Sequence, residues 1–222
     1  MTTATARTAK AFKGVGMEGP IASWYAKNTA SALPEFHALA ARVASEVDRG
    51  DWVLEVAPGP GYLAVELARL GLRVSAVDIS RAFVRITADN AGKSGVAVDV
   101  RQGDVSAMPF EAERFDFVVC RAAFKNFSRP VEALQEIRRV LRPKGHALII
   151  DMRREASNSE IAAEVAKMRL GRMDALITRG ALRSLRRRAY TAADFVRMIG
   201  KAGFSASHIA PSPIGFDIRL TK

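Results

Sequence analysis

A doubly wound α/β sheet is the fold class that three features of this 222-residue chain predict. Five short, almost continuously apolar runs alternate with segments of helical period, the pattern of parallel strands covered on both faces by right-handed crossover helices. A Gly-Pro-Gly turn follows the first of these runs. The last run of the chain alternates with period two, and Pro211-Ser212-Pro213 joins it tightly to the run before, which predicts an antiparallel hairpin at the sheet edge.

Taken in order, residues 1–17 hold four Thr, four Ala, three basic residues and no acid, without apolar periodicity, so a mobile tail is expected. Ile21, Trp24 and Tyr25, then Phe36, Leu39, Val43 and Val47, lay apolar stripes along helices that form an N-terminal cap over 18–48. Trp52–Val56 is the first strand. Leu63, Leu67 and Leu70 space the helix after it, which Gly71 ends. Leu72–Val77 is the second strand, stopping at Asp78, and Ser80 can cap a helix reaching Ala91. Val96–Val100 and Phe115–Cys120 are the third and fourth strands. Pro130 opens a helix with Val131, Leu134, Ile137 and Leu141 on one face. Pro143-Lys144-Gly145 is expected to end it before a fifth strand, His146–Ile150. A basic helical insertion, 157–188, interrupts the alternation. Thr191 and Asp194 fit a capping box for a helix carrying Phe195, Met198, Ile199 and Ala202, closed by Gly203. In the final strand Ile214, Phe216, Ile218 and Leu220 alternate with Gly215, Asp217 and Arg219, so one face is buried. There is no internal repeat, and residues 1–222 are read as one domain.

Composition narrows the class of activity. With 49% apolar and 26% charged residues, the chain can bury a large core without disulfides or metals. The longest charge-free run, Phe204–Phe216, is 13 residues and holds two prolines, so no membrane span is expected. The single cysteine, Cys120, cannot form an internal disulfide, and no Cys/His cluster has zinc spacing, so no metal is expected and the cytoplasm is the expected location. The net charge is +11, unevenly spread: residues 51–150 carry 14 basic and 12 acidic groups, whereas 151–190 carry ten and five. The densest stretch, Arg179, Arg183 and Arg186 to Arg188, could face nucleic acid, anionic lipid or an acidic substrate, or be a solvated helix face.

The chemistry is concentrated where the first strand runs into Glu55-Val-Ala57-Pro-Gly59-Pro-Gly61-Tyr-Leu-Ala64. Glycines there permit a tight turn and close approach of a ligand to the backbone, and a helix N-terminus lies just beyond. Asp78 ends strand two, 17 residues after Gly61, where a carboxylate can accept hydrogen bonds from both hydroxyls of a ribose. Two nucleosides compete for this site. Gly59-x-Gly61-x-x-Ala64 with Asp78 also fits a dinucleotide fingerprint, and hence NAD. Glu55 argues against it, because a carboxylate beside the glycine loop repels a pyrophosphate and suits an ammonium group. Asp104, after strand three, can accept from the exocyclic amine of adenine. Three acids on three successive strand ends favour a cationic sulfonium nucleoside.

At these residues the chain resembles the class I S-adenosylmethionine-dependent methyltransferases, particularly their small-molecule branch. The stretches VLEVAPGPGYLAVELARLGLRVSAVDIS, RQGDVSAMPFEAERFDFVVCRAAFKNFSRP and VEALQEIRRVLRPKGHALIIDMR carry the resemblance, over about 50–153. It implies a seven-stranded sheet of order 3-2-1-4-5-7-6 with strand seven antiparallel, and S-adenosyl-L-methionine as cofactor. It further implies that Glu55 and the backbone of Ala57, Gly59 and Gly61 hold the methionine portion. Asp78 would hold the ribose and Ile79 pack on the adenine. Asp104 and Val105 would contact the adenine, with Arg121 near the methionine end. Two positions depart from the family pattern: Ala57 replaces the first glycine, and Lys125-Asn126 replaces the usual His-rich pair after strand four.

Methyl transfer from a sulfonium is an SN2 displacement onto an O, N or C nucleophile, in which the protein chiefly aligns and excludes water. A general base is optional, and Lys125, Asn126 and Asp151 are the candidates. Trp24, Tyr25 and Tyr190 are candidates for contacting the acceptor. The insertion 157–188 falls where the family places a substrate lid, and Met168, Met173, Leu176, Ile177, Leu182 and Leu185 could line an apolar pocket or simply pack. The expected partner is a small, plausibly anionic molecule. Nucleic acid is disfavoured: Cys120 lacks a Pro-Cys context, the Asn/Asp-Pro-Pro-aromatic signature is absent, and no basic region interleaves aromatics. The alternatives are an RNA or protein methyltransferase using the Arg-rich segment, and a nucleotide-binding oxidoreductase.

Overall fold

Seven strands pair in the order β3-β2-β1-β4-β5-β7-β6 in the computed structural model, which describes residues 12, 13 and 16–222. The elements run α1 (Gly19–Thr29), α2 (Leu33–Ala44), β1 (Trp52–Val56), α3 (Tyr62–Arg69), β2 (Arg73–Asp78), α4 (Arg81–Lys93), β3 (Val98–Gln102) and β4 (Phe115–Arg121). They continue with α5 (Pro130–Val140), β5 (Leu141–Met152), α6 (Asn158–Lys167), α7 (Arg172–Arg186), α8 (Ala192–Ala202), β6 (Ala206–Pro211) and β7 (Gly215–Thr221). The first five strands are parallel, and β7 is antiparallel to both β5 and β6.

Alternation along the strands sends side chains into two cores. Leu54 and Val56 of β1 and Val118 and Cys120 of β4 meet α5 and α8. Val53, Phe117 and Val119 point the other way, onto Phe36, Leu39 and Val43 of α2 and Leu63 and Leu67 of α3. Each fully buried leucine or phenylalanine among these stabilises the fold by about 2–5 kcal/mol relative to alanine. The predicted caps form: the Ser80 hydroxyl accepts from the Phe83 N–H, and Thr191 and Asp194 make a reciprocal box. Ion pairs of Arg42 with Asp217 and of Arg219 with Glu46 fasten the α2 end of the chain to β7.

Two strand starts differ from expectation by two residues or more, each for a local reason. β3 begins at Val98 because the Val96 N–H turns back to the Ala91 carbonyl (3.1 Å) and closes α4 instead of pairing. Helix α5 stops at Val140, before Pro143-Lys144-Gly145, and Leu141 already pairs with Phe115 in strand β5. The intervening residues form an irregularity in the ladder, and a side chain on Gly145 would come within 2.9 Å of the Arg142 carbonyl.

Of the tail expected over 1–17, residues 1–11, 14 and 15 lie outside the described residues. Phe12 bridges to Phe127, the Lys13 N–H donates to the Asn126 carbonyl (2.7 Å), and the Ser80 hydroxyl donates to the Met17 carbonyl (2.6 Å). Among the described residues no helix is long and apolar enough to cross a membrane, and no cluster of potential metal ligands occurs.

Candidate functional site

The carboxyl ends of β1, β2, β3 and β4 open onto a cavity of about 560 Å³, at the point where strand order reverses between β1 and β4. Its floor is the loop from Ala57 to Gly61. Ala57 and Gly59 take left-handed backbone conformations, as does Gly61. Helix α4 fixes this loop: Thr87 Oγ1 donates to the Gly59 carbonyl and Asn90 Nδ2 to the Pro60 carbonyl, both at 2.9 Å. Gly61 is required for that packing, since a Cβ there would stand 2.3 Å from Thr87 Cγ2.

Three acids face or border this floor in different states. Glu55 is 3% exposed, and burial, opposed by the Ala64 N–H and Arg121, pushes its carboxyl up to about 8. Its Oε2 is the one buried side-chain nitrogen or oxygen among the described residues that has no hydrogen-bond partner. Asp78 accepts from the Gly59 N–H (3.2 Å) and the Ser80 N–H (2.9 Å), yet burial outweighs them and raises its carboxyl to about 6. Asp104 is already engaged: one oxygen takes the N–H and hydroxyl of Ser106, and the other takes the Arg129 guanidinium at 2.6 Å. Burial raises its carboxyl, but the bonds from Ser106 and Arg129 together hold it below the usual range. Ile79, exposed at the end of β2, and Val105 add apolar surface to the wall beside Gly103.

The opposite wall is aromatic and cationic. Phe12, Tyr25, Phe36 and Phe127 line it with Leu185. Arg121 stacks 4.6 Å from the Phe36 ring centroid and is paired with Glu35. Lys125 and Asp151 form a buried pair at 2.9 Å, and Asp151 also accepts the N–H groups of Lys125 and Met152. Asp151 therefore anchors the turn after β4 and is not on the cavity wall, whereas Lys125 and Asn126 are. Arg188 lines the cavity too. Its guanidinium donates to the Lys13 carbonyl (3.1 Å) and lies 3.5 Å from Asn126 Oδ1, and it has no carboxylate partner among the described residues.

Of the three expected acceptor contacts, only Tyr25 reaches the cavity wall. Trp24 is 66% exposed on the outer side of α1. Tyr190 is packed among Phe124 and Phe195, and its hydroxyl accepts from Lys13 Nζ at 2.7 Å. Within the insertion, Leu185 lines the cavity, but Met173, Leu176 and Ile177 point to solvent. Sequence reading missed Phe12, Phe36 and Arg188 as wall residues. Phe12 was legible as the lone aromatic of the tail; Arg188 was hidden among its arginine neighbours.

Residues 54–149 match a family described as "Methyltransferase domain". The ubiquinone/menaquinone biosynthesis C-methyltransferase UbiE of Azotobacter vinelandii is 33% identical over 112 residues, 48% of this chain and 44% of that protein. The demethylmenaquinone methyltransferase of Deinococcus radiodurans is 31% identical over 107 residues, 47% of this chain and 44% of its own. The chain thus spans under half the length of the curated relatives it matches. Among solved structures, one from Methanococcus maripaludis, described as an S-adenosyl-L-methionine-dependent methyltransferase, superposes with a TM-score of 0.76 at 20% identity, covering 95% of both chains. Another from Aquifex aeolicus has a TM-score of 0.63 at 19% identity, covering 82% of this chain and 88% of that one. At such identities the likeness concerns the fold alone.

Proposed function

We propose, because residues 54–149 match a methyltransferase domain family, that the chain is of the class I S-adenosylmethionine-dependent type and transfers a methyl group from S-adenosyl-L-methionine to a small molecule. The observation that carries this reading is the Glu55 carboxyl, which is buried, lines the cavity and leaves one oxygen, Oε2, without a partner among the described residues. A buried acid in that condition calls for a ligand cation. It is the wrong group to meet a pyrophosphate, which sets aside a dinucleotide.

The donor set fits the cofactor. Glu55 would receive the ammonium of the methionine part, Asp78 the ribose hydroxyls, and Ile79 and Val105 the faces of the adenine. The Asp104 carboxylate would share its remaining acceptor capacity with the adenine amine while keeping Ser106 and Arg129. When bound, the cofactor supplies a methyl group already activated by a sulfonium. The chain's own work is to align an acceptor with that methyl and to keep water out. Helices α1 and α2 on one side, and the α6–α7 insertion on the other, serve as the two covers.

The acceptor half has an apolar wall and, among the described residues, one lining cation without a carboxylate partner, Arg188, beside Asn126. That combination suits an aromatic or enolisable acceptor bound as its oxyanion. The guanidinium holds the negative charge, and Asn126 orients the same oxygen. Lys125 is held in its ion pair with Asp151 and shapes the turn; the acceptor oxyanion itself supplies the nucleophilic electrons, and the ring proton displaced after the methyl adds leaves to solvent. Because the curated relatives are named for ubiquinone and menaquinone C-methylation, a quinol ring is the first acceptor to test.

Incubation of the chain with S-adenosylmethionine carrying a labelled methyl group and a benzoquinol or naphthoquinol provides that test, read by mass spectrometry. One labelled methyl on the ring is expected. Arg188→Gln should raise the acceptor KM by about tenfold, the loss of one charged hydrogen bond, while leaving cofactor affinity unchanged. An acceptor KM unmoved by Arg188→Gln contradicts the role given to that residue.

A further inference from the structure

Helix α7 has a body-facing side and an outer side of different character. Inward, Leu182 and Leu185 are half-buried. Outward, Met173, Leu176 and Ile177 are 69%, 60% and 63% exposed, and their spacing places them together on one face. The short link before α7 adds exposed Met168 and Leu170. Single exposed apolar side chains are ordinary; five on one hairpin tip form a patch.

Unneutralised positive charge accompanies that patch along the same segment. Between Val165 and Tyr190 there are eight basic residues and one acid, Asp174. Arg169, Arg172, Arg183 and Arg187 are exposed, and among the described residues none of them makes a salt bridge. Several arginines elsewhere in the fold are paired, as with Arg101 and Asp99 or Arg142 and Asp116.

We propose that this outer face of the α6–α7 hairpin docks on an anionic phospholipid bilayer. Such an interface satisfies both parts of the surface: methionine, leucine and isoleucine enter the boundary of the hydrocarbon, and guanidinium groups meet phosphate headgroups. An RNA would match the charge and leave the apolar face in water. A second copy would cover the apolar face but bring two arginine-rich segments together, which like-charge repulsion opposes. Helix α1, whose Tyr25 lines the cavity, also exposes Ile21 and Trp24, residue types suited to the same boundary. Leu185 and Arg188 connect the docking helix to the cavity wall, so docking would set the cavity beside the bilayer.

Flotation of the full chain with phosphatidylcholine vesicles, with and without phosphatidylglycerol, tests this without any turnover, so its outcome is separate from that of methyl transfer. At about 0.15 M salt the chain is expected to float with the anionic vesicles and to stay behind with the neutral ones. A triple variant, Met173→Ser, Leu176→Ser and Ile177→Ser, should keep the wild-type circular dichroism and melting temperature, since all three side chains are exposed. Its partitioning should fall by tenfold or more, on the order of the lost apolar burial. A quadruple variant, Arg169→Gln, Arg172→Gln, Arg183→Gln and Arg187→Gln, should lose the preference for phosphatidylglycerol. No binding to anionic vesicles overturns the proposal. So does partitioning that the serine variant leaves unchanged, a patch-dependent dimer with no vesicle binding, or RNA that displaces the chain from the vesicles.

Discussion

The Lys125 ammonium and the Asp151 carboxylate lie 2.9 Å apart with side chains only 5% and 1% exposed, binding the turn after β4 to the end of β5. A charge pair so deep is costly to leave half-made. Asp151→Ala, and separately Lys125→Ala, should each destabilise by about 3–5 kcal/mol, because each strands a buried partner. The double variant should cost clearly less than the sum, as coupled neighbours do. Urea unfolding of the four proteins reads this directly; additive costs would mean the pair is not a unit.

Glu55 gives the free protein an unusual dependence on pH. Burial raises its carboxyl from 4.5 to about 8, so between those values the unfolded chain has ionised and the folded one has not. The folded state then holds more protons, and stability falls as pH rises through that window. The loss reaches on the order of 5 kcal/mol at its upper end. Glu55→Gln should flatten the curve between about pH 6 and 8, above the range in which Asp78 titrates, measured as denaturant midpoints in the absence of cofactor. A wild-type midpoint constant across that range contradicts the burial argument.

Gly59 and Gly61 should respond differently to alanine. At Gly59 the added methyl meets only the Tyr25 ring at 3.8 Å, leaving the left-handed backbone as the sole penalty, about 1–2 kcal/mol. At Gly61 it collides with Thr87, and overpacking adds roughly 1–3 kcal/mol and displaces the loop. Thermal melts and cofactor titrations should therefore rank Gly61→Ala below Gly59→Ala in both stability and affinity.

Asp78→Ala should weaken cofactor binding by about 1–3 kcal/mol, the cost of losing hydrogen bonds to a charged group. The same change releases the N–H groups of Gly59 and Ser80, so a modest loss of stability should accompany it. Affinity equal to wild type in calorimetry would take Asp78 out of the site.

The sheet was readable from the chain because buried parallel strands leave continuous apolar runs, and the terminal hairpin because β7 keeps period two beside Pro211 and Pro213. The strand starts at Val98 and Leu141 were not, because a helix-closing hydrogen bond and a ladder irregularity set them. The cavity floor is local in sequence, and Glu55, Ala57, Gly59 and Gly61 all sit along it. The opposite wall of the cavity is assembled from Phe12, Phe36, Asn126 and Arg188, which only the folded chain brings together. No periodicity could distinguish Tyr25, which turns inward, from Trp24 next to it, which turns out.

Calorimetric titration of S-adenosylmethionine into the chain, in buffers of different ionisation enthalpy, tests the central claim most directly. At pH near 7 the Glu55 carboxyl of the free protein is protonated, and it must ionise to receive the ligand ammonium, so binding should release close to one proton, and almost none above about pH 9. Glu55→Gln should bind at least tenfold more weakly and release no proton. Proton-independent binding that Glu55→Gln leaves intact, or binding of NAD with none of S-adenosylmethionine, would contradict the account.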